Sequence, residues 1–282
     1  MPSLPGPAAV LFDMGGTLED VRVDHGVYVA GAKMIGERLE RAGITVSPPE
    51  PGELAAQIES GLARYKRWAM SVGCIECSPL QLWSEWLLDE DGFRTAVLTD
   101  DLAEELSFLW ETRCFRRCLR PDARAVLREL ASCGYRLGII SNSIARTQVQ
   151  RTLRLYGLEH CFSTVQVSSL AGKRKPDPLM FVRAAADLGL PPEQCMYIGD
   201  SYTRDVVGAR AARYGYVLWI SSCLGERTDA EQGPIPAFGD SGQQSTCETW
   251  EQRICTLTEI LTILGEAPWT RTGGRSVGNT TV

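Results

Sequence analysis

Five polar side chains of this 282-residue chain stand at or just beyond the ends of short apolar runs: Asp13 after VLF, Ser141 after LGII, Lys175 within GKRKPDP, Asp200 after MYIG, and Asp205 five residues later. If those runs are parallel strands of one sheet, their C-terminal ends share one crevice. Three carboxylates, a hydroxyl and an ammonium then meet at one edge. Two carboxylates ~4 Å apart repel by about 4 kcal/mol at an effective dielectric near 20. A single lysine cannot offset three of them, so the cluster calls for a hard divalent cation with oxygen ligands, Mg²⁺ by preference. Such a site suits a phosphoryl group in transfer, where stabilisation of charge dominates. Gly15 and Gly16, directly after Asp13, let the backbone turn and bring its amides and a carbonyl close to phosphoryl group or metal. The Thr17 hydroxyl is expected to fix that turn.

The elements that would position these residues alternate. Pro121 opens a helix with Val126, Leu127 and Leu130 on one face, YRLGIISNS (135–143) reads as a strand, and a helix follows over 144–156. STVQVSS, CMYIGDS and YGYVLWISS read as further strands, separated by helices over 178–188 and 204–213, and AAVLFD supplies one at the front. This is the pattern of βαβ units: an α/β fold with a doubly wound, Rossmann-like parallel sheet. Between the first strand and residue 120 the periodicity is helical, over 26–42, 51–72, 79–89 and 100–117. The expected division is a core of residues 1–20 and 118–265, a helical insertion of 21–117, and a disordered tail of 266–282. Residues 222–250 are expected to form a long surface loop, and 251–264 a helix docked on the core.

Composition narrows the function. A net charge of −6 disfavours nucleic acid and anionic membranes, and no run approaches the ~18 apolar residues of a membrane span. The start, MPSLPGP, has no export-signal layout, so a cytoplasmic protein with reduced thiols is expected. The two histidines, His25 and His160, lie near no Ser or Cys motif, which disfavours hydrolysis built on a His base. Cys74 and Cys77 (CxxC) with Cys114 and Cys118, read as an i,i+4 helical pair, could hold zinc or be buried thiols. The aromatics Trp68, Trp83, Trp86 and Trp110 could pack the helical insertion or line a pocket. Asn142 could contact ligand or shape its turn, and Asp205 could ligate metal or cap its own helix.

FDMGGTL, IISNS, KRKPDP and GDSYTRD, in that order and spacing over about residues 8–221, resemble the four motifs of the haloacid dehalogenase (HAD) superfamily. The resemblance implies a Mg²⁺-dependent phosphohydrolase of a small phosphorylated substrate. By the same resemblance Asp13 is a nucleophile that becomes an aspartyl-phosphate. Ser141 holds the phosphoryl group and Lys175 neutralises it. Asp200 and Asp205 are the acids of the metal site, which the backbone carbonyl of Gly15 completes. The helical insertion corresponds to the cap that selects substrate. One position departs: most phosphatases of the family carry an aspartate two residues after the nucleophile as general acid and base, and here it is Gly15. Such a group typically contributes 10²–10⁴-fold in rate, so slow turnover, or a preference for good leaving groups, is expected. Glu19, Asp20 and Asp24 are the nearby acids that could substitute. The alternatives are a dehalogenase of the same superfamily, a phosphonate-cleaving enzyme using Lys33 or Lys66 as imine former, and a non-catalytic metal- or ligand-binding protein.

Overall fold

In the computed structural model, which describes residues 6–46, 48–88, 98–232 and 249–266, six strands form one sheet in which every pairing is parallel. They are β1 (Ala9–Phe12), β4 (Arg136–Ser141), β5 (Thr164–Val167), β6 (Cys195–Gly199), β7 (Tyr216–Ile220) and β8 (Trp250–Ile254), in the order β5-β4-β1-β6-β7-β8. The central strands AVLF and CMYIG are buried at every position, as continuous apolar runs are when both faces of a sheet are covered. One face packs on α5 (Ala123–Ser132), α6 (Gln148–Leu155) and α11 (Glu259–Glu266), through Val126, Leu130, Val149, Leu153, Ile260 and Leu264. The other packs on α8 (Leu179–Asp187) and α9 (Val207–Ala211), through Phe181, Ala184 and Ala209. The apolar stripe of α5 is the one expected; each fully buried Val or Leu in it contributes about 1.5–3 kcal/mol. The doubly wound α/β fold is therefore as the sequence indicates. It is also the arrangement that gathers the ends of β1, β4 and β6 at one crevice.

Helices α1 (His25–Arg41), α2 (Pro51–Ser71), α3 (Pro79–Leu82, continued by a π-turn at Trp83–Leu87) and α4 (Asp100–Arg113) occupy the stretch after β1. They share a core of their own that includes Ile35, Ile58, Tyr65, Trp83, Leu106 and Trp110. Trp68 and Trp86 stack within it at 5.1 Å between ring centroids. Two short strands, β2 (Glu19–Arg22) and β3 (Arg116–Leu119), pair antiparallel where the chain leaves and re-enters the sheet region.

Several expectations are corrected here. The helix expected over 100–117 ends at Arg113, so Cys118 lies on β3 and forms no helical pair with Cys114. Residues 250–254 are an edge strand and not the start of a helix; α11 begins only at Glu259. Part of the expected 222–250 loop is a helix, α10 (Cys223–Gln232). The rest of that loop (233–248), the breaker at 89–92 and the tail beyond 266 lie outside the described residues. No helix among the described residues is long and apolar enough to cross a membrane.

Candidate active site

The turn after β1 is closed by backbone bonds: the Gly16 amide donates to the Glu19 carbonyl at 2.8 Å, and the Leu18 and Glu19 amides donate to the Met14 carbonyl at 3.0 Å each. Arg120 Nη2 donates to the Gly16 carbonyl at 2.8 Å. Thr17 does not fix the turn through its hydroxyl, as had been expected: its Oγ1 is buried without a hydrogen-bond partner. Gly16 is required twice over. Its φ of +86° is left-handed, and a Cβ there would lie 1.8 Å from Asp200 Oδ2. Gly15 carries neither constraint. A Cβ there would meet Arg117 Nη2 at 3.4 Å and Val21 and Leu224 at ordinary contact.

Asp13, Asp200 and Asp205 converge. Each offers a carboxylate oxygen within 4.8 Å of the other two, and they are the only such trio of potential metal ligands among the described residues. Lys175, fully buried, joins two of them: Nζ lies 3.0 Å from Asp13 Oδ1 and 2.6 Å from Asp205 Oδ1, and it also donates to the Ile140 carbonyl at 3.0 Å. Tyr197, from β6, places its hydroxyl 2.9 Å from Lys175 Nζ and donates to Asp205 Oδ1 at 3.0 Å. Asn142 grips the lysine's own backbone, accepting from the Lys175 amide at 2.8 Å and donating to its carbonyl at 3.2 Å. Its observed contacts therefore shape the turn. Ser141, the last residue of β4, is buried at the same edge.

The three acids are not equivalent. Asp205 accepts from Lys175, Tyr197 and the Ser201 amide (3.0 Å), so both its oxygens are engaged. It does not cap its helix; Ser201 does, accepting from the Arg204 amide. Burial alone would raise Asp205, but Lys175 and Arg204 outweigh it and hold the carboxyl below its ordinary value. Burial raises Asp13, against the opposing pull of Lys175. Burial, then the repulsion of Asp205 and Asp13, pushes Asp200 up to about 7. Asp200 Oδ2 accepts from Ser222 Oγ at 2.6 Å, while Oδ1 is buried with no hydrogen-bond partner, the Arg204 guanidinium being 3.9 Å away. An orphaned carboxylate oxygen inside an acidic trio is the vacancy a hard cation fits.

This predicts a pH signature in metal-free protein. Asp200 is raised on folding, so its contribution is complete below the unfolded carboxylate range near 4 and is lost as pH rises through about 7. Thermal unfolding in EDTA should therefore shift to lower temperature between pH 5 and 7.5. Added Mg²⁺ should stabilise far more at pH 7.5 than at pH 5. An equal Mg²⁺ effect at both would mean the ion binds elsewhere.

None of the three downstream acids reaches the trio. Glu19 is buried, its Oε2 paired with Arg117 Nη2 at 2.6 Å and its Oε1 accepting from the Tyr156 hydroxyl at 2.7 Å. Asp20 pairs with Arg120, and Asp24 pairs with Arg116 while capping α1. The four cysteines likewise form no metal cluster. Cys74, Cys77 and Cys114 are buried, Cys118 is exposed, and burial raises the first three thiols, Cys114 to about 12. Protonated thiols are poor zinc ligands.

Three contributors escaped sequence reasoning. The first is α10 with the residue before it: Ser222 holds Asp200, and Asp229 accepts from the Tyr202 amide (2.8 Å), the Thr203 amide (3.0 Å) and the Ser201 hydroxyl (2.7 Å), bracing the segment that carries Asp205. The second is Arg117 on β3. The third is α4, whose Glu104 and Glu111 accept the amides of Thr147 (2.9 Å), Arg146 (2.8 Å) and Ile144 (3.0 Å) just beyond Asn142. Burial pushes Glu111 up to about 7 against those bonds. Only Arg204, inside GDSYTRD, lay within a motif already singled out.

With this geometry in hand, the family can be stated. The sequence profile of haloacid dehalogenase-like hydrolases matches residues 7–213, and the chain belongs to that family. Among curated relatives it is similar to a glyceraldehyde 3-phosphate phosphatase of Methanopyrus kandleri, 37% identical over 33% of this chain and 39% of that one. It is also similar to a phosphoserine phosphatase of Thermus thermophilus, 36% identical over 50% of this chain and 53% of that one. The chain thus spans about half the length, or less, of these relatives. In fold it resembles a HAD phosphatase from Thermococcus onnurineus, with a TM-score of 0.55 at 22% identity over 91% of this chain and 97% of that one. It equally resembles the L-2-haloacid dehalogenase of Xanthobacter autotrophicus, at 0.53 and 20% over 93% and 99%.

Proposed function

We propose that the protein is a phosphomonoester hydrolase of small phosphorylated metabolites in the cytoplasm, working through a phosphorylated Asp13 with Mg²⁺ as cofactor. The observation that carries this reading is the buried trio of carboxylates around Lys175, with one Asp200 oxygen left unpartnered. Asp13, Asp200 and the Gly15 carbonyl would hold the ion. Asp205, both of its oxygens engaged by Lys175, Tyr197 and the Ser201 amide, would act chiefly by holding the lysine in place. When bound, the cation supplies charge neutralisation for phosphoryl oxygens among the acids.

The chain's own groups do the rest. Asp13 Oδ1 is pinned by Lys175 and by the Met14 amide at 2.7 Å, which orients the carboxylate. Its other oxygen attacks phosphorus in line while the bond to the leaving oxygen breaks. Ser141, Lys175 and the Thr17 amide hold the phosphoryl oxygens, while the Gly16 amide closes the turn on the Glu19 carbonyl. Water then cleaves the aspartyl-phosphate and restores Asp13. Helices α1–α4 act as a cap over the crevice, roughly residues 21–117. The trio also favours phosphatase over dehalogenase chemistry, because dehalogenases of the superfamily use no metal and uncompensated carboxylates would repel their carboxylate substrate.

Metal removal tests the reading. Hydrolysis of p-nitrophenyl phosphate, whose leaving group needs little protonation, should fall by at least ~10²-fold in EDTA and return with Mg²⁺. Unchanged activity in EDTA would refute the metal-dependent mechanism. No activity in either condition, together with tight binding of a metabolite, would favour the non-catalytic alternative.

A further inference from the structure

Resting on the phosphatase reading, we infer that the substrates are aryl phosphomonoesters, phosphates of phenol-like hydroxyls, with the ring seated between α2, α4 and α10. Two independent features point there. The first is a cavity of about 550 Å³ walled by Val21, Leu62, Trp110, Phe115 and Leu224. The same five residues line a smaller adjoining chamber of about 170 Å³ that reaches Asn142, Arg117 and Arg204 beside the acidic trio. Five apolar residues are thus shared by the two cavities, the inner one turning polar at Glu76, Glu111, Arg117, Arg174 and Arg204, and the outer volume is that of a pocket for a drug-sized organic ligand. Trp110 and Phe115 meet edge to face at 5.9 Å, with Tyr28 packed on both, so the cavity is bordered by an aromatic cluster.

The second feature is the leaving-group chemistry. As Asp13 bonds to phosphorus, the electron pair of the breaking bond passes to the leaving oxygen. An aliphatic alkoxide, with a conjugate acid near the ~15.7 of water, needs a proton at that moment. A phenolate, near ~10, departs as the anion and takes its proton from solvent afterwards. No acid stands at position 15 to give that proton, and Glu76, which also lines the small chamber, accepts from the Tyr65 hydroxyl and Arg174 on its Oε1. Gly15 has no side chain, and Glu19, Asp20 and Asp24 are paired elsewhere. Glu111 borders the small chamber, but its oxygens accept from Ser143 Oγ and the Ile144 amide. What stands beside Gly15 instead is Arg117, with Nη2 3.4 Å from where a Cβ would sit. A guanidinium does not give up its proton at neutral pH, and this one is already paired with Glu19 through Nη2 at 2.6 Å. The site is thus poorly built to protonate an alkoxide, a proton that a phenolate does not need.

The test compares phenyl phosphate, cyclohexyl phosphate (a ring of similar size with a poor leaving group) and acetyl phosphate (a good leaving group without a ring). With Mg²⁺, wild type should cleave phenyl phosphate with kcat/KM at least ~10²-fold above cyclohexyl phosphate. Gly15→Asp, whose Cβ would meet its neighbours only at ordinary contact, should narrow that gap by at least ~10-fold by speeding the cyclohexyl ester. Phe115→Ala should raise KM for phenyl phosphate roughly tenfold, far more than for acetyl phosphate. Should that variant misfold, Leu224→Ala on the half-buried face of α10 gives the same readout. Phenyl and cyclohexyl esters cleaved within about threefold of each other would overturn the inference, by showing that another acid serves the leaving group. Equal KM shifts for phenyl and acetyl phosphate would overturn it too, by removing the ring from the cavity. Failure to cleave any of the three, acetyl phosphate included, would overturn the phosphatase reading itself.

Discussion

Asp13→Asn is expected to reduce phosphate-ester hydrolysis by roughly 10⁴–10⁶-fold, the range seen when a covalent nucleophile is removed. The amide is nearly isosteric and keeps an oxygen for Lys175 and the Met14 amide, but it is no nucleophile. The fold should not suffer. Burial is the largest influence on Asp13 and raises it, so the charged form is held there at a cost that an uncharged amide avoids. Thermal unfolding in EDTA should therefore show an unchanged or slightly higher midpoint. Mass spectrometry after acid quench should detect a phosphorylated form in wild type and none in the variant. A variant retaining more than about a tenth of wild-type activity would assign the nucleophile elsewhere.

Lys175→Met should damage function and stability together. The ammonium is fully buried and touches both Asp13 and Asp205. Without it, Asp205 keeps only the bonds from Tyr197 and Ser201 and the field of Arg204. Breaking a buried pair by deleting one partner costs about 3–5 kcal/mol, and activity should fall by roughly 10³-fold with the loss of the charge facing the phosphoryl group. The sign of the pH dependence is diagnostic. Lys175 is the main influence holding Asp205 low, and burial alone would raise it. In the variant Asp205 is raised on folding, so its stability is present at low pH and lost as pH rises. Calorimetry in EDTA should find the deficit against wild type larger at pH 8 than at pH 5. A deficit independent of pH would mean that Lys175 acts by packing alone.

Much of this site could be read from the chain because its parts are local. Asp13, Ser141, Lys175 and Asp200 each end a strand or follow one closely, and strands β1, β4 and β6 announce themselves as apolar runs between helical segments. Once a parallel sheet is granted, topology brings the strand ends together. The need for glycine was also legible, although it falls on Gly16, pressed against Asp200, while Gly15 is merely permitted.

Elements that exist through their neighbours were hidden. The strands EDVR and RRCL are four residues each, charged and without a buried face, so no periodicity marks them. They form because each supplies the other's backbone partners and because Arg117 finds Glu19 across the pair. The helix expected over 251–264 starts too early: WEQRI is a strand because the edge of β7 offers it a ladder. In α10 the polar sequence carries almost no apolar stripe, and Ser222, Gly225 and Asp229 acquire meaning only where that helix abuts Asp200 and the 201–205 turn.

By itself, then, the sequence determined the sheet, the acidic cluster with its lysine, and the missing acid at position 15, because strand-end residues inherit their place from chain order. Tertiary structure alone decided which carboxylate keeps a spare oxygen, that Arg117 stands beside Gly15, and that Trp110 and Phe115 border both neighbouring cavities. Those are distances between segments far apart in the chain, fixed by packing and ion pairing, for which local spacing carries no signal.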